Sequence, residues 1–184
     1  DLALNPDGGN VGIGTTSPED KLHLLSSGNT LMRVTAGSSS IAGIDFGDTD
    51  DTDVGRIRYS NSDNAFQFST QATERMRIDS SGNLGLGTTP PTDSHSTWSQ
   101  FFIGQKGSVI SERLGSGGLF GTYVTDNLYV DNDTGNFAYR VANEASAYLQ
   151  EASTHRWYTV TSGSAGATAT LSERMRIDSS GNVG

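Results

Sequence analysis

Apolar and polar residues alternate in short runs along this chain, and its longest exact repeat contains such a run. Residues 74–83 read ERMRIDSSGN, and residues 173–182 read the same ten residues. Met and Ile alternate with charged residues, which is the two-residue period of a strand with one apolar and one polar face. The Asp-Ser-Ser-Gly-Asn that follows combines a carboxylate acceptor with a glycine that tolerates positive φ. We therefore expect a β-hairpin at both positions.

A second motif follows the first and defines a recurrent unit, here called the joint. Residues 9–18 read GNVGIGTTSP, residues 82–91 read GNLGLGTTPP, and residues 181–184 read GNVG. The glycines between apolar residues predict a close backbone approach, and the proline predicts the end of the strand. The unequal spacing of the three copies differs from the fixed period of a solenoid. We expect joints between inserts of unequal size, within a chain that is part of a longer one.

The inserts themselves predict small β units. Alternating runs at 55–59 and 65–69 flank a polar turn and indicate a hairpin. In the longer insert we expect strands over 99–110, 119–130 and 136–141, a hairpin joining 145–151 to 155–160, and elsewhere at most a helical turn at 17–20. The predicted organisation is a first joint and strand (1–25), a small β insert (26–73), a second joint (74–91), a larger β insert (92–172) and a third joint (173–184).

This pattern predicts an all-β protein with little helix, whose joints need partners. A two-stranded hairpin is marginal alone in water, because its apolar face is too small to offset the entropy of ordering. Three chains that pack their joints around one axis would form a prism-like, elongated homotrimer without open edges. The expected axis residues are Val11, Ile13, Met76, Ile78, Leu84, Leu86, Met175 and Ile177, and the expected inter-chain ion pairs involve Glu74, Arg75, Arg77, Asp79, Arg174 and Arg176. The alternative is a monomeric β-domain with internal repeats.

Composition narrows the possible partners. Lys and Arg number 12 against 21 Asp and Glu, giving a formal net charge of -9. Such a chain repels nucleic acid phosphates and anionic lipid. Cysteine is absent, and no apolar run is long enough to predict a membrane span. We expect no nucleic acid partner and no membrane insertion.

Candidate chemical sites are few, and we expect neither an enzyme nor a cofactor. The run Gly12–Ser17 approaches a dinucleotide-binding loop, but Pro18 and a polar stretch follow where a long helix is required. Asp48, Asp50 and Asp53 offer oxygen ligands for Ca²⁺, with a solvated turn as the alternative. Aromatic side chains could stack on sugars, with core packing of the small β units as the alternative; they are Trp98, Phe101, Phe102, Tyr123, Tyr129, Tyr148, Trp157 and Tyr158. Of these, the expected receptor contacts are Trp98, Trp157 and Tyr158.

The joints resemble a known family. The stretches GNVGIGTTSPEDKLHL and ERMRIDSSGN are similar to the linking motifs of bacteriophage tail-fibre and other virion appendage proteins. The resemblance implies a homotrimeric structural segment of the virion, outside the cell, that contacts other tail proteins and a host cell-surface glycan or protein. Many such fibres end in a self-cleaving chaperone domain, which nothing in this sequence matches. A carbohydrate-binding surface adhesin is the main alternative function, and a capsule-degrading enzyme with carboxylates converging across chains is a third.

Overall fold

The computed structural model describes residues 9–95, 98–112 and 121–184, which form strands, turns and irregular segments and no helix. The predicted all-β class is confirmed. No described segment is therefore a helix of the length and apolarity that crossing a membrane requires. The strands are β1 Val11–Ile13, β2 Leu22–Leu24, β3 Ile41–Phe46, β4 Gly55–Ser60, β5 Ala65–Thr70, β6 Thr73–Ile78, β7 Leu84–Leu86, β8 Trp98–Ile103, β9 Gly107–Glu112, β10 Thr122–Asp126, β11 Leu128–Val130, β12 Phe137–Tyr139, β13 Asn143–Glu151, β14 Thr154–Gly163 and β15 Ser172–Ile177.

The chain divides into two units, of which the first ends at Thr35 and the second begins at Ala36. In the first unit β1 and β2 pair in parallel, with Val11 opposite Leu22. In the second unit an 11-stranded sheet has the order β15-β14-β13-β10-β9-β8-β7-β6-β5-β4-β3, and β11 and β12 form a separate antiparallel pair. Neighbours in the large sheet are antiparallel except β7 and β8, which are parallel.

The hydrophobic core lies in the larger insert, between the large sheet and the β11–β12 pair. Ile110 and Leu128 are fully buried, and Tyr123 meets Phe137 edge to face with ring centroids 4.9 Å apart. The buried side-chain amide of Gln100 makes two hydrogen bonds with the backbone of Val130. It donates to the carbonyl oxygen at 3.2 Å and accepts from the N–H at 2.9 Å. Burial of this apolar surface is the main contribution to the stability of the insert.

Two predicted hairpins are confirmed. β4 and β5 pair around the turn at 61–64, and β13 and β14 pair in the register that sets Tyr148 opposite Trp157. In both cases the alternation of apolar and polar residues spans the strands, and small or polar residues occupy the turn.

Three predicted elements differ from the structure. The single strand expected over 99–110 is two strands, because the chain reverses at Gly104, which has a φ of 58°. The strand expected over 119–130 begins outside the described residues and breaks at Asn127, which has a φ of 62° and bonds the backbone of Val141. Residues 17–20 form bends instead of a helical turn.

Candidate functional site

The turn of the second joint is held by one carboxylate. Oδ1 of Asp79 accepts hydrogen bonds from the backbone N–H of Ser81 at 2.9 Å and of Asn83 at 2.8 Å. Its Oδ2 accepts from the side-chain amide of Asn83 at 3.0 Å. Gly82 has a φ of 82°, so the turn needs the glycine. The predicted reversal is confirmed, with β6 and β7 paired on either side of it.

The third joint repeats this turn bond for bond. Asp178 accepts from the backbone N–H groups of Ser180 and Asn182 and from the Asn182 side-chain amide, each at 2.9 Å. Gly181 has a φ of 85°. Hydrogen bonds from the Asn182 side chain and backbone hold the pKa of the Asp178 carboxyl below its usual range, because they stabilise the charged form.

The glycines after the turn allow the chain to fold back on itself. A Cβ at Gly85 would collide with the backbone oxygen of Thr88, and a Cβ at Gly12 would collide with that of Thr15. The predicted close approach is therefore real in both joints, and the approaching backbone is the chain's own Thr-Thr segment. The strand containing the glycine then pairs in parallel with the next strand, β1 with β2 and β7 with β8. The first and second joints thus share this parallel pairing.

A β-bulge lies within each ERMRI strand. Phe68 is opposite Met76 and Ser69 is opposite Glu74, so Arg75 is an extra residue in β6. The same irregularity occurs between β14 and β15, where Arg174 is the extra residue. A bulge changes which residues of a strand share a face.

The charged residues predicted to pair between chains have partners within their own chain. Inter-chain pairing stays a prediction, because the described contacts are those of one chain. The partners are Arg75 with Thr70, Arg77 with Glu74, Asp79 with Asn83, Arg174 with Thr159 and Arg176 with Glu173.

One side of the large sheet carries apolar side chains on each of its eleven strands. Residues directly opposite each other on neighbouring strands point to the same side, so the strand registers identify the members of each face. We call this side the apolar face. It comprises Ile44, Phe46, Ile57, Tyr59, Phe66, Phe68, Met76, Ile78, Leu84, Leu86, Phe101, Ile103, Val109, Val124, Tyr148, Trp157, Met175 and Ile177.

The apolar face is uncovered in the single chain. None of its members is buried, and Phe46 and Val124 are each 53% exposed. The charged residues on this side are Asp126, Glu144 and the two bulge residues Arg75 and Arg174, which donate to Thr70 and Thr159 on the same side. The opposite face carries the charged side chains of the smaller insert and packs against β11 and β12 in the larger insert. Most of the charged side chains of the sheet therefore lie on the opposite face.

No protein-family model, curated protein or solved structure matches this chain. The sequence motifs and the surfaces described here carry the functional argument.

The predicted axis residues lie on two units. The apolar face contains those of the second and third joints, and a recess of about 240 Å³ opens on it between Leu84, Phe101 and Val109. Val11 and Ile13 belong to the first unit, where Ile13 is 58% exposed. A packing axis stays a prediction. The members on the apolar face are Met76, Ile78, Leu84, Leu86, Met175 and Ile177.

The three predicted receptor-contact aromatics do not form one surface. Trp98 is only 4% exposed and belongs to the hydrophobic core, so it is not available to a receptor. Trp157 lies on the apolar face beside Tyr148, with ring centroids 5.1 Å apart. Tyr158, the next residue in β14, points to the other side. There it lines a recess of about 230 Å³ together with Tyr123.

The predicted calcium ligands serve local structure. Oδ1 of Asp48 accepts the backbone N–H groups of Asp50 and Asp51, each at 2.9 Å, and these bonds hold its pKa below the usual range. Asp53 forms an ion pair with Arg56. Within the described residues no three His, Cys, Asp or Glu side chains are grouped to bind a metal ion. The structure thus favours the solvated turn over the Ca²⁺ site.

Sequence reasoning missed Arg140, which fixes the larger insert to the second joint. Its guanidinium donates to the backbone oxygens of Gly104 and Gly107, each at 3.2 Å, and to Oγ1 of Thr88 at 3.1 Å. Its Cζ lies 4.6 Å from the centroid of the Phe102 ring, a cation–π contact. Burial lowers the pKa of Arg140. A single arginine outside any motif gave no sequence signal for these contacts.

Proposed function

We propose that this chain is a structural segment of a bacteriophage tail fibre, assembled as a homotrimer through the apolar face. The observation that supports this best is the row of apolar side chains on one side of all eleven strands of the sheet, none of which is buried by the described residues of its own chain. In the proposed assembly this face turns toward the neighbouring copies. The charged face and the larger insert then point outward, where host-attachment surfaces are presented.

The size of the apolar face supports burial between copies. Eleven strands at a spacing of about 4.8 Å span roughly 50 Å. Nine of the eleven strands have three to six residues, and at about 3.3 Å per residue they extend roughly 10 to 20 Å, so this side of the sheet covers on the order of 500 to 1,000 Å². A stable interface buries about 800 Å² per partner, whereas the largest apolar patch of a typical monomer covers about 300 to 600 Å².

The repeated joints support a shared geometry along a fibre. Both ERMRI strands set Met and Ile on the apolar face and the ion-paired Glu and Arg on the opposite face. Recurrence of one arrangement between unequal inserts is expected if each joint returns the chains to a common axis. The proposed role is mechanical, in a virion outside the cell, and requires neither catalysis nor a cofactor. Trimerisation would multiply weak contacts with a host glycan or protein into avidity.

The mass in solution, measured by light scattering, tests this proposal. A homotrimer has about three times the chain mass of 19.4 kDa. The double variant Leu86→Glu/Ile103→Glu places charge on two half-exposed, adjacent positions of the apolar face. It should remain folded by circular dichroism and become monomeric. The matched control is Gln67→Glu on the opposite face, between Arg58 and Arg77, which should keep the mass of the trimer. A folded wild-type monomer at micromolar concentration would overturn the proposal.

A carbohydrate-binding surface adhesin is the second candidate, and a specific recess favours it. Tyr123, Phe137 and Tyr158 line this recess with Asn136, which combines aromatic faces with an amide suited to sugar hydroxyls. Saturable binding to a glycan panel, lost in Tyr158→Ala and kept in Tyr148→Ala, would support this function. Binding that does not depend on Tyr158 would remove the recess from consideration.

A further inference from the structure

Residues 30–35, here called the free segment, have the sequence of a strand. They read TLMRVT, and their Met32-Arg33-Val34 repeats the Met-Arg-Ile of the two ERMRI strands at 76–78 and 175–177. In both ERMRI strands this triplet is paired with a neighbouring strand. The free segment belongs to no strand.

The free segment exposes both its side chains and its backbone. Leu31 is 87% exposed, Met32 56% and Val34 48%. No backbone group of residues 30–35 takes part in a hydrogen bond with any residue within 9–95, 98–112 or 121–184. Apolar side chains alternating along an unpaired, strand-like backbone are typical of a segment that completes a sheet elsewhere.

The large sheet offers a matching open edge at β3. Among the described strands β3 pairs only with β4, so its outer side presents unpaired backbone N–H and C=O groups. Ile44 and Phe46 on this strand are 41% and 53% exposed and end the apolar face. The edge strand has no Pro or Lys, the residues that commonly protect such edges from pairing.

The turn before β3 disfavours pairing of the free segment with its own β3. Ser40 donates its backbone N–H to the oxygen of Gly37 at 2.9 Å, and the Asn61 side chain donates to the same oxygen at 3.0 Å. The backbone N–H of Asn61 also donates to the oxygen of Ser40 at 3.1 Å. These bonds hold residues 37–40, which lead into β3, beside the end of β4. The chain therefore enters β3 from the side on which β3 pairs with β4. A hairpin within the chain would need the turn on the outer side.

We propose that the free segment of one copy adds as a strand to the outer edge of β3 in a neighbouring copy. This inference rests on the homotypic assembly proposed above and names a contact within it. If Met32 and Val34 continue the apolar face, Arg33 lies on the opposite face of the sheet, beside Asp45. The Asp45 carboxylate already accepts two hydrogen bonds from Arg58 on its other flank, at 2.9 and 2.8 Å. Charge and hydrophobic pattern therefore match in the same arrangement.

Cross-linking tests the contact directly, because the native chain has no cysteine. The single variants Met32→Cys and Ile44→Cys are unfolded, mixed and refolded together, then treated with a bismaleimide. We expect a covalent species of twice the chain mass that contains one copy of each variant. The matched control replaces Ile44→Cys by Val124→Cys, which is similarly exposed on the apolar face but lies in an interior strand. Its yield should be at least tenfold lower.

A second experiment separates pairing between copies from pairing within one chain. The double variant Met32→Cys/Ile44→Cys is refolded in large excess of the cysteine-free protein, so that two double-variant chains rarely meet. An efficient cross-link within the single chain would overturn the proposal. In addition, Arg33→Pro should lower the yield between copies at least tenfold because proline cannot donate to a strand ladder, whereas Ser27→Pro should leave it unchanged.

The mass measured in parallel distinguishes the two proposals. A trimer with the cross-link between copies supports both. A trimer without any cross-link overturns strand addition and leaves assembly through the apolar face standing. A monomer without the cross-link overturns both.

Discussion

The guanidinium of Arg77 donates two hydrogen bonds to the carboxylate of Glu74, at 2.8 and 2.9 Å, although residues three apart in a regular strand point to opposite faces. The bulge at Arg75 removes this conflict, because the extra residue returns Glu74 to the side of Arg77. The third joint repeats the arrangement, with Glu173 and Arg176 2.6 Å apart. The bulge thus lets one strand keep Met and Ile on the apolar face and an ion pair on the other.

We predict a measurable coupling between Glu74 and Arg77. A double-mutant cycle with Glu74→Ala and Arg77→Ala, followed by urea unfolding, should give about 0.5 to 1 kcal/mol, because the pair is bidentate and mostly shielded from solvent. The hydrogen bonds to Glu74, together with its charge, raise the pKa of Arg77, in agreement with a favourable interaction. The Glu173–Arg176 cycle is the comparison, and it should give less because the Arg176 side chain is 48% exposed. Equal coupling energies would contradict this explanation.

Gly85→Ala should destabilise the second unit by about 1 to 3 kcal/mol, because the new methyl group meets the backbone of Thr88 and the ring of Pro90. Gly28→Ala is the control, since nothing lies within 4 Å of a Cβ at that position. Its unfolding free energy should change by less than about 0.5 kcal/mol. Urea denaturation of the two variants measures the contrast, and similar losses would show that the fold-back of the Thr-Thr segment is not the cause.

The third joint should lose stability in acid. The pKa of Asp178 is lowered by hydrogen bonds from Asn182, and that of Glu173 by its hydrogen bonds with Arg176. Because both pKa values are lower in the folded protein, their stabilisation is present above about pH 4.3 and is lost as the pH falls through the folded values.

The variant Asp178→Asn isolates this effect. At pH 6 it should unfold at a lower urea concentration than the wild type, and the two midpoints should converge near pH 2.5. A difference between the midpoints that stays constant with pH would indicate that the charge of Asp178 is not what the turn uses.

Stability should also fall in alkali through Tyr123. Burial raises the pKa of Tyr123 to about 12, whereas an unfolded tyrosine titrates near 10. The stabilisation is complete below about pH 10 and is lost as the pH rises toward 12, because only the unfolded chain ionises readily in that interval. A difference of about two pKa units corresponds to roughly 3 kcal/mol. Unfolding curves at pH 9 and 11.5 should show about 2 kcal/mol of this loss in the wild type and a smaller loss in Tyr123→Phe.

The turns of the second and third joints could be predicted from sequence because their determinants are local. The acceptor Asp79, the donors Ser81 and Asn83 and the flexible Gly82 fall within five consecutive residues. Alternation over 145–151 likewise predicted β13 despite the helix-favouring composition of that stretch, because its pairing with β14 overrides intrinsic propensity.

The remaining features depend on distant residues, and alternation alone does not determine them. Alternation shows that Trp98 and Trp157 each occupy one side of a strand, but only the sheet order shows that one side is core and the other is uncovered. The parallel pairing of β7 with β8 and the three anchors of Arg140 link residues far apart in the chain. The bulge at Arg75 was missed because a regular alternation of charged and apolar residues contains no mark of an inserted residue.

The turn at Asp79 has an evolutionary consequence. Because its carboxylate bonds to residues within the same five-residue stretch, the turn closes in the same way whatever sequence precedes it. Where the DNA encoding the two identical decapeptides is also similar, it is a point for homologous recombination. A cassette bounded by two such turns can be exchanged between related genes with the reading frame and the strand pairing at its borders preserved. Such an exchange would replace the strands from β7 to β14 while the turns at the two borders of the cassette stay the same.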